Sequence, residues 1–177
     1  GYVMILAVDV GNSNTTVGLF NGTGELLFRA LLETSRSKTR DQCAIELLGV
    51  FQLYGADACT VDGAILSSVV PPLTTIFIDA IARLTGIPPM VVGPGIRTGL
   101  NIKAEIHNQL GSDIVASSVA AIAKYPSPIV MVDMGTATSL SLIVGSVYEG
   151  CIIMPGLALA LDALSERAAA LPPISIE

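Results

Sequence analysis

The fold of this chain follows from one stretch near its start, Ile5-Leu-Ala-Val-Asp-Val-Gly-Asn-Ser-Asn-Thr-Thr-Val-Gly-Leu-Phe20. An apolar run ends at the carboxylate of Asp9, Gly11 permits a tight turn, and small hydroxyl or amide residues precede a second apolar run. The pattern predicts a strand, a turn and a second strand. Backbone N–H groups and short polar side chains in such a turn can bind a phosphate, while Asp9 can hold a cation or a metal-bound water. On these residues alone, a purely structural hairpin fits as well.

The segments after this hairpin predict an α/β domain. A third apolar segment extends the hairpin to a β-meander, and segments with helical spacing then alternate with short apolar runs. The predicted order is βββαβαβ. We expect strands at Met4–Asp9, Asn14–Phe20, Leu26–Glu33, Gly63–Val70 and Met90–Val92, one helix capped by Thr39 and stopped at Gly55, and another from Pro71 to about Leu84.

A later stretch, Ile129-Val-Met-Val-Asp-Met-Gly-Thr-Ala-Thr-Ser-Leu-Ser-Leu-Ile143, repeats the pattern of strand, Asp-x-Gly turn and strand. A further segment, Gly150–Met154, completes a second meander, so the sequence predicts an internal duplication. Two such turns facing each other can hold a polyphosphate and its cation from both sides. Duplicated meanders without a nucleotide remain the structural alternative. Aligned residue for residue, Asp133 matches Asp9, Gly135 matches Gly11, and Thr136 and Thr138 match Asn12 and Asn14.

Composition excludes several classes of function. With 177 residues, 51% of them hydrophobic and only 14% charged, we expect an extensive core and an apolar surface covered by a second subunit. A net charge of −6 argues against a nucleic-acid partner, since binding a phosphate backbone requires clustered Lys and Arg. No uninterrupted apolar run reaches the length of about 18 residues that a membrane span needs. Cys43, Cys59 and Cys151 are far apart in apolar surroundings, so we expect buried thiols of a cytoplasmic protein, without a disulfide framework or a zinc site.

Three polar features between the two meanders have alternative interpretations. The glycine-rich loop Gly93–Gly99 is either a simple turn or a segment that approaches a ligand. Asp113 falls in the first turn of the predicted helix that runs to Lys124 (Ile114–Lys124), where a carboxylate also serves as a cap or a dipole partner. His107 is the single histidine and pairs with no nucleophile in the sequence, so we expect a surface or loop position for it.

The duplicated meanders resemble the acetate and sugar kinase, Hsp70 and actin superfamily, whose ATP lies between two ribonuclease-H-like halves. The resemblance narrows to the type III pantothenate kinases, because motifs in the order and spacing of that family run through nearly the whole chain. They are Asp9-Val-Gly-Asn-Ser-Asn-Thr15, Val92-Gly-Pro-Gly-Ile-Arg-Thr-Gly-Leu-Asn-Ile-Lys103, Leu110-Gly-Ser-Asp113, Asp133-Met-Gly-Thr-Ala-Thr138, Gly150-Cys-Ile-Ile-Met-Pro-Gly156 and Leu164-Ser-Glu-Arg-Ala-Ala-Ala-Leu-Pro172.

The resemblance implies a cytoplasmic homodimer that phosphorylates pantothenate with ATP, Mg²⁺ and a monovalent cation, K⁺ or NH₄⁺. Asp113 would be the general base, and Gly111, Ser112 and Ile114 would join it at the acceptor. Asp9 would orient the Mg²⁺-phosphate assembly, and Asp133 would bind the monovalent cation. Thr136 would contact ATP and Gly150–Gly156 would lie near the adenosine. The phosphate loop would consist of Asp9, Val10, Gly11, Asn12, Ser13, Asn14, Thr15 and Thr16.

Two departures from the family pattern affect the acceptor side. Ile114 stands where the family has an arginine for the pantothenate carboxylate, and Ala104 stands where it has a tyrosine. Losing a charge-assisted contact costs about 1.5–3 kcal/mol, or roughly ten- to a hundredfold in affinity. The sequence therefore leaves open an impaired or substrate-shifted paralogue acting as a nucleotide-binding regulator. Another phosphotransferase or phosphohydrolase of the superfamily is a further alternative.

The expected fold class is α/β with duplicated ribonuclease-H-like domains of the actin-like ATPase type, each beginning with a βββ meander. We predict a first domain at residues 1–112, which carries the phosphate loop, and a second at 113–177. Members of the family continue beyond the Leu-Pro segment at Leu171, so we expect the second domain to be incomplete at its C-terminus.

Overall fold

The computed structural model describes residues 3–93, 96–103 and 110–167. The chain divides into two compact units, Gly1–Ile96 with Gly111–Ala116 and Arg97–Leu110 with Ser117–Glu177. The predicted domain boundary lies between residues 112 and 113, whereas the observed division falls within a single helix. The first turn of that helix therefore belongs to the first unit.

The first unit is a five-stranded sheet covered by two helices. The strand order is β3-β2-β1-β4-β5, in which β1, β2 and β3 are antiparallel neighbours and β4 runs parallel to β1 and β5. A 3-10 helix at Ala58–Thr60 precedes β4. The elements are β1 (Ile5–Val10), β2 (Asn14–Phe20), β3 (Leu26–Glu33), α1 (Arg40–Leu53), β4 (Gly63–Ser68), α2 (Pro71–Thr85) and β5 (Met90–Val91).

Local sequence signals explain where the helices begin and end. Thr39 and Gln42 form a capping box at the start of α1, since Thr39 Oγ1 accepts from the Gln42 amide at 3.3 Å and Gln42 Oε1 accepts from the Thr39 amide at 2.8 Å. Helix α2 begins at Pro71 and ends at Thr85, and its C-cap is Gly86, whose φ of 76° is the left-handed conformation that favours glycine. The helix starts predicted from Thr39 and Pro71 are confirmed.

The core of the first unit lies between this sheet and its helices. Phe28 of β3 packs edge-on against Phe51 of α1, with ring centroids 5.6 Å apart, and stacks on Tyr54 at 4.7 Å. Alternate strand residues and one stripe of each helix complete the cluster: Leu6, Val8 and Val10 of β1, Val17 and Leu19 of β2, Cys43 and Leu47 of α1, and Leu73, Phe77 and Ile81 of α2.

The second unit contains a four-stranded sheet of order β6-β9-β8-β7. Strands β7, β8 and β9 form an antiparallel meander, and β6 pairs with β9 in parallel. An ion pair between Lys103 and Glu149 lies beside this parallel pair. The elements are β6 (Asn101–Ile102), α3 (Ser112–Lys124, shared with the first unit), β7 (Ile129–Met134), β8 (Ala137–Val144), β9 (Val147–Pro155) and α4 (Leu157–Arg167).

The two meanders share the same strand order and also an irregularity in the pairing of their second and third strands. A β-bulge interrupts β2–β3 pairing at Leu19/Phe20, and another interrupts β8–β9 pairing at Leu142/Ile143. The elements β7, β8, β9 and α4 thus match β1, β2, β3 and α1. Within the described residues, the second unit has no counterpart of β4, α2 or β5, and no strand pairs with the outer edge of β7.

The residue-for-residue alignment of the two turns needs one correction. In the first hairpin Val10 pairs with Thr15, so four residues form the turn, whereas in the second Met134 pairs with Thr138, so only three do. Asp133 and Gly135 keep their equivalence with Asp9 and Gly11. Thr138 corresponds in the sheet to Thr15, because the second turn is one residue shorter.

Other differences from the sequence predictions are local. Cys43 is buried as expected, but Cys59 and Cys151 are exposed, since apolar neighbours in sequence do not decide which face of an element a side chain occupies. Strands β1 and β9 end one residue later than predicted, and β6 and α4 were not predicted as elements.

Ala104 and His107 lie outside the described residues, as do Pro94 and Gly95 of the glycine-rich loop. No helix in the described part of the chain has the length and hydropathy to cross a membrane.

Candidate functional site

The turn between β1 and β2 is closed by its own backbone. The Gly11 amide donates to the Asn14 carbonyl at 2.9 Å, and a Cβ at Gly11 would lie only 2.9 Å from that oxygen, so this position requires glycine. The segment after β3 supports the turn, because the Thr34 amide donates to the Ser13 carbonyl at 3.0 Å. The hydroxyls of Thr34 and the buried Thr15 share a hydrogen bond of 2.8 Å. The side chains of Asn12, Ser13 and Asn14 are exposed on this fixed turn.

Asp9 lies one residue before the end of β1, between two strands. It pairs with Thr16 of β2 and with Ser67 of β4. Residues directly opposite each other across neighbouring strands point to the same face of a sheet, so Asp9, Thr16 and Ser67 share one face. Val10 points to the other face and is fully buried in the core. Asp9 itself is exposed.

The first turn of α3 is bonded to the end of β4. Ser112 Oγ accepts from the Ser68 amide at 3.1 Å, donates to the Ser68 carbonyl at 3.1 Å, and shares a hydrogen bond of 3.1 Å with Ser67 Oγ. Since β1 and β4 are parallel and end together, Ser112 fixes the start of α3 at the strand end beside Asp9.

The carboxylate of Asp113 bends back onto the helix that it begins. Its Oδ1 accepts from the Ile114 amide at 2.8 Å and contacts the position where Gly111 would carry a side chain. Asp113 is half-buried, as are Gly111, Ser112 and Ile114. The structure therefore brings the segment 111–114 and Asp9 to the same end of the first unit.

The corresponding turn of the second unit is built in the same way. The Gly135 amide donates to the Ala137 carbonyl at 3.0 Å, and the Gly156 amide, from the segment after β9, donates to the Thr136 carbonyl at 2.9 Å. This second bond repeats the support that Thr34 gives to the first turn. Asp133 pairs with Ser139 of β8, and both Asp133 and Thr136 are exposed.

A basic residue that the sequence pattern did not indicate lies beside the first turn. Arg36 follows β3, and its Nη2 lies 3.5 Å from Oδ1 of Asn12. No spacing rule links Arg36 to Asn12, because only the pairing of β2 with β3 brings their two loops together. The serines of β4 were missed for the same reason, since Ser67 and Ser68 meet Ser112 across more than 40 positions of sequence.

Each of the two turns, taken by itself, carries groups of the kind that bind cations or phosphates. Asp9 and Asp133 supply carboxylate oxygens, the hard donors that Mg²⁺ and alkali cations prefer. Asn12, Ser13 and Asn14 place amide and hydroxyl groups on a rigid exposed turn, which suits a phosphate. Each unit therefore carries its own anion- or cation-compatible turn.

Comparison with known proteins identifies similar sequences over almost the full chain. A family model described as type III pantothenate kinase matches residues 5–177. The chain is 40% identical over 174 residues to a type III pantothenate kinase of Listeria monocytogenes serotype 4a, covering 98% of this chain and 67% of that protein. A Geobacillus protein of the same name is 41% identical over the same share of each chain.

Solved structures share the fold at low sequence identity. A structure titled as a Baf family transcriptional activator from Campylobacter jejuni superposes with a TM-score of 0.55 at 19% identity, covering 97% of this chain and 65% of that one. A Ppx/GppA family member from Aquifex aeolicus superposes with a TM-score of 0.51 at 15% identity, covering 98% and 57%. With the 3-2-1-4-5 strand order of the first unit, these neighbours establish the ribonuclease-H-like, actin-like ATPase fold class.

Proposed function

Because the chain belongs to the type III pantothenate kinase family, we propose that it transfers the γ-phosphoryl group of ATP to the primary hydroxyl of pantothenate, the first step of coenzyme A biosynthesis. The observation that carries the proposal is the placement of Asp9 and the Asp113 segment at one end of the first unit, joined through Ser67 and Ser112. The two turns expected to bind phosphate and cation are also present, each fixed by backbone hydrogen bonds.

Asp113 is the proposed general base. Its carboxylate takes the proton of the pantothenate hydroxyl as that oxygen bonds to the γ-phosphorus, while the bond from phosphorus to the β,γ-bridging oxygen breaks and ADP leaves. A carboxylate suits this step because phosphoryl transfer depends mainly on positioning and charge neutralisation. The segment Gly111–Ile114, which carries Asp113, is the proposed acceptor side of the site.

The phosphate side of the proposed site is the segment Asp9–Thr16. Its polar turn would bind the phosphates of ATP, Asp9 would hold Mg²⁺, Asp133 would hold the monovalent cation, and Thr136 would contact ATP. Bound Mg²⁺ supplies charge neutralisation to the phosphates. The protein's own contribution is to keep these oxygens on rigid turns, which limits the entropy lost when the nucleotide binds.

Further parts of the proposal rest on the family alone. They are a homodimer, a cytoplasmic location and K⁺ or NH₄⁺ as the monovalent cation. Ile114 in place of arginine predicts weak pantothenate binding, with the Michaelis constant raised roughly ten- to a hundredfold relative to members that keep the arginine. The nucleotide-binding regulator that the sequence left open is not favoured, since the relatives above are named as kinases.

A coupled ADP-release assay with Mg²⁺, K⁺ and ATP tests the proposal, with pantothenate present or omitted. We expect pantothenate to stimulate ADP release, and Asp113→Asn to lower kcat by about a hundredfold or more while ATP still raises the melting temperature. Asp162→Asn, at an exposed position of α4, is the matched control and should retain activity. ATP binding without any stimulation by millimolar pantothenate would contradict the kinase function.

A further inference from the structure

The hydroxyl of Ser112 has no remaining capacity to bind a substrate. A serine hydroxyl has one donor hydrogen and two acceptor lone pairs. In this structure the hydrogen goes to the Ser68 carbonyl, one lone pair accepts from the Ser68 amide, and the second accepts from Ser67. All three hydrogen bonds of the Ser112 hydroxyl are therefore made with β4, although the sequence analysis placed this residue among those expected to bind the acceptor.

This assignment also fixes the direction of the Ser67–Ser112 hydrogen bond. Because the only hydroxyl hydrogen of Ser112 is donated to the Ser68 carbonyl, Ser67 must be the donor in their shared bond. Ser67 is buried to all but 7% of its surface and pairs directly with Asp9. The contacts run from Asp9 on β1 to Ser67 on β4, then to Ser112 and Asp113 on α3.

The first turn of α3 is attached to β4 through this connection. Within the helix, the Val115 amide donates to the Gly111 carbonyl at 3.2 Å and Asp113 bonds to the Ile114 amide, so the first turn is closed on itself. The side chain of Ser112 makes the hydrogen bonds that tie this turn to β4. Loss of the Ser112 hydroxyl would leave Asp113 attached to a helix end without those bonds to β4.

We propose that Ser67 and Ser112 are positioning residues that set the distance of the Asp113 carboxylate from the phosphate turn by fixing the first turn of α3 to the end of β4. The inference rests on the proposed function, in which Asp113 is the general base. Neither serine takes part in the proton or phosphoryl transfer. Their role is to keep Asp113 aligned with the acceptor hydroxyl.

Steady-state kinetics test the proposal with three variants of Ser112. Misplacing a reacting group by about 1 Å can cost roughly a hundredfold in rate, so we expect Ser112→Ala to lower kcat by about ten- to a hundredfold while the KM for ATP changes less than about twofold. Ser112→Thr keeps the hydroxyl and should restore kcat to within about threefold of the wild type. In an Asp113→Asn background, Ser112→Ala should cause no further loss, because both changes remove the same contribution.

Two further measurements separate positioning from general damage. Ser117→Ala, an exposed serine on the same helix, is the matched control and should leave kcat unchanged. Hydrogen exchange of the Val115 amide should speed up by about tenfold or more in Ser112→Ala and remain unchanged in Ser117→Ala. This second readout does not need turnover, so it tests the attachment to β4 even if the wild-type chain fails to phosphorylate pantothenate and the proposed function falls.

Three results would overturn the positioning role. One is a parallel rise in the KM for ATP with the fall in kcat, and another is an independent loss in the Asp113→Asn background. The third is unchanged exchange at Val115 in Ser112→Ala, which would show that the helix start does not depend on the hydroxyl.

Discussion

At the scale of single residues, the site depends on a close contact between Gly111 and the side chain of Asp113. Gly111 is the first residue of the acceptor segment, and a Cβ at this position would overlap Oδ1 of Asp113. A side chain at position 111 would therefore push the carboxylate out of this position. This contact explains why a glycine stands two residues before Asp113, which the sequence motif alone does not explain.

Gly111→Ala should displace the Asp113 carboxylate and lower kcat by about tenfold or more, with little change in the KM for ATP. The cause is steric, because the new Cβ and Oδ1 cannot occupy the same space. Gly49→Ala, in the middle of α1 where a Cβ meets open space, is the matched control and should keep full activity. Wild-type kcat in Gly111→Ala would mean that the carboxylate has another productive position.

Arg36 is the residue-scale feature that sequence reasoning could not supply. Its guanidinium lies beside Asn12 on the proposed phosphate turn. We expect Arg36→Ala to raise the KM for ATP by about three- to tenfold, because a positive charge next to bound phosphates is lost. Arg29→Ala, on the β3 strand, serves as control. An unchanged KM at low ionic strength would exclude Arg36 from nucleotide binding.

At the scale of elements, the two meanders were predictable because alternation, turn residues and duplication agree. The sequence identified β2 and β3 to the residue, the N-cap of α1 at Thr39 and the start of α2 at Pro71. The residue-for-residue alignment made the second turn one residue too long after Gly135. The length of a turn follows from the register of the two strands, which matching residues does not show. The attachment of α3 to β4 was not predictable either, since it is a tertiary contact.

A cross-strand pair in the second unit gives a pH-dependent prediction. Tyr148 of β9 is fully buried and its hydroxyl shares a hydrogen bond of 2.7 Å with Ser141 of β8. Burial raises the pKa of Tyr148 to about 12, an increase that the Ser141 hydrogen bond reduces and the neighbouring Cys151 reinforces. The neutral phenol is thus favoured in the folded chain.

The sign of the effect follows from the raised pKa. The unfolded phenol ionises near pH 10, so the stabilising contribution of neutral Tyr148 is complete below about pH 10 and is lost as pH rises towards 12. We expect the melting temperature to fall across this range, and Tyr148→Phe to reduce that fall. Tyr125→Phe, at an exposed position, should not. Equal pH slopes in both variants would contradict the assignment.

At the scale of the whole molecule, the duplication places equivalent residues in opposite environments. Val8 of β1 is 2% exposed, whereas its counterpart Val132 of β7 is 53% exposed. The same contrast holds for Leu6 against Val130 and for Val10 against Met134. The sequence could not show this difference, because both strands carry the same apolar pattern and only their packing partners differ.

This internal pair predicts unequal costs for the same substitution. Val8→Ala removes buried methyl groups and should lower the free energy of unfolding by about 2 kcal/mol, while Val132→Ala should cost less than about 1 kcal/mol. Urea titration followed by circular dichroism measures both changes. Equal losses of unfolding free energy in the two variants would indicate that the face of β7 that carries Val132 is covered in solution.

We expect this chain to phosphorylate pantothenate with the Asp113 segment at the acceptor. Incubation with γ-³²P-labelled ATP, Mg²⁺, K⁺ and pantothenate, followed by separation of the products, tests it most directly. The wild type and Asp162→Asn should both form labelled 4′-phosphopantothenate, and Asp113→Asn should form it about a hundredfold or more slowly. Label that stays on ATP, or appears only as inorganic phosphate at millimolar pantothenate, would contradict it.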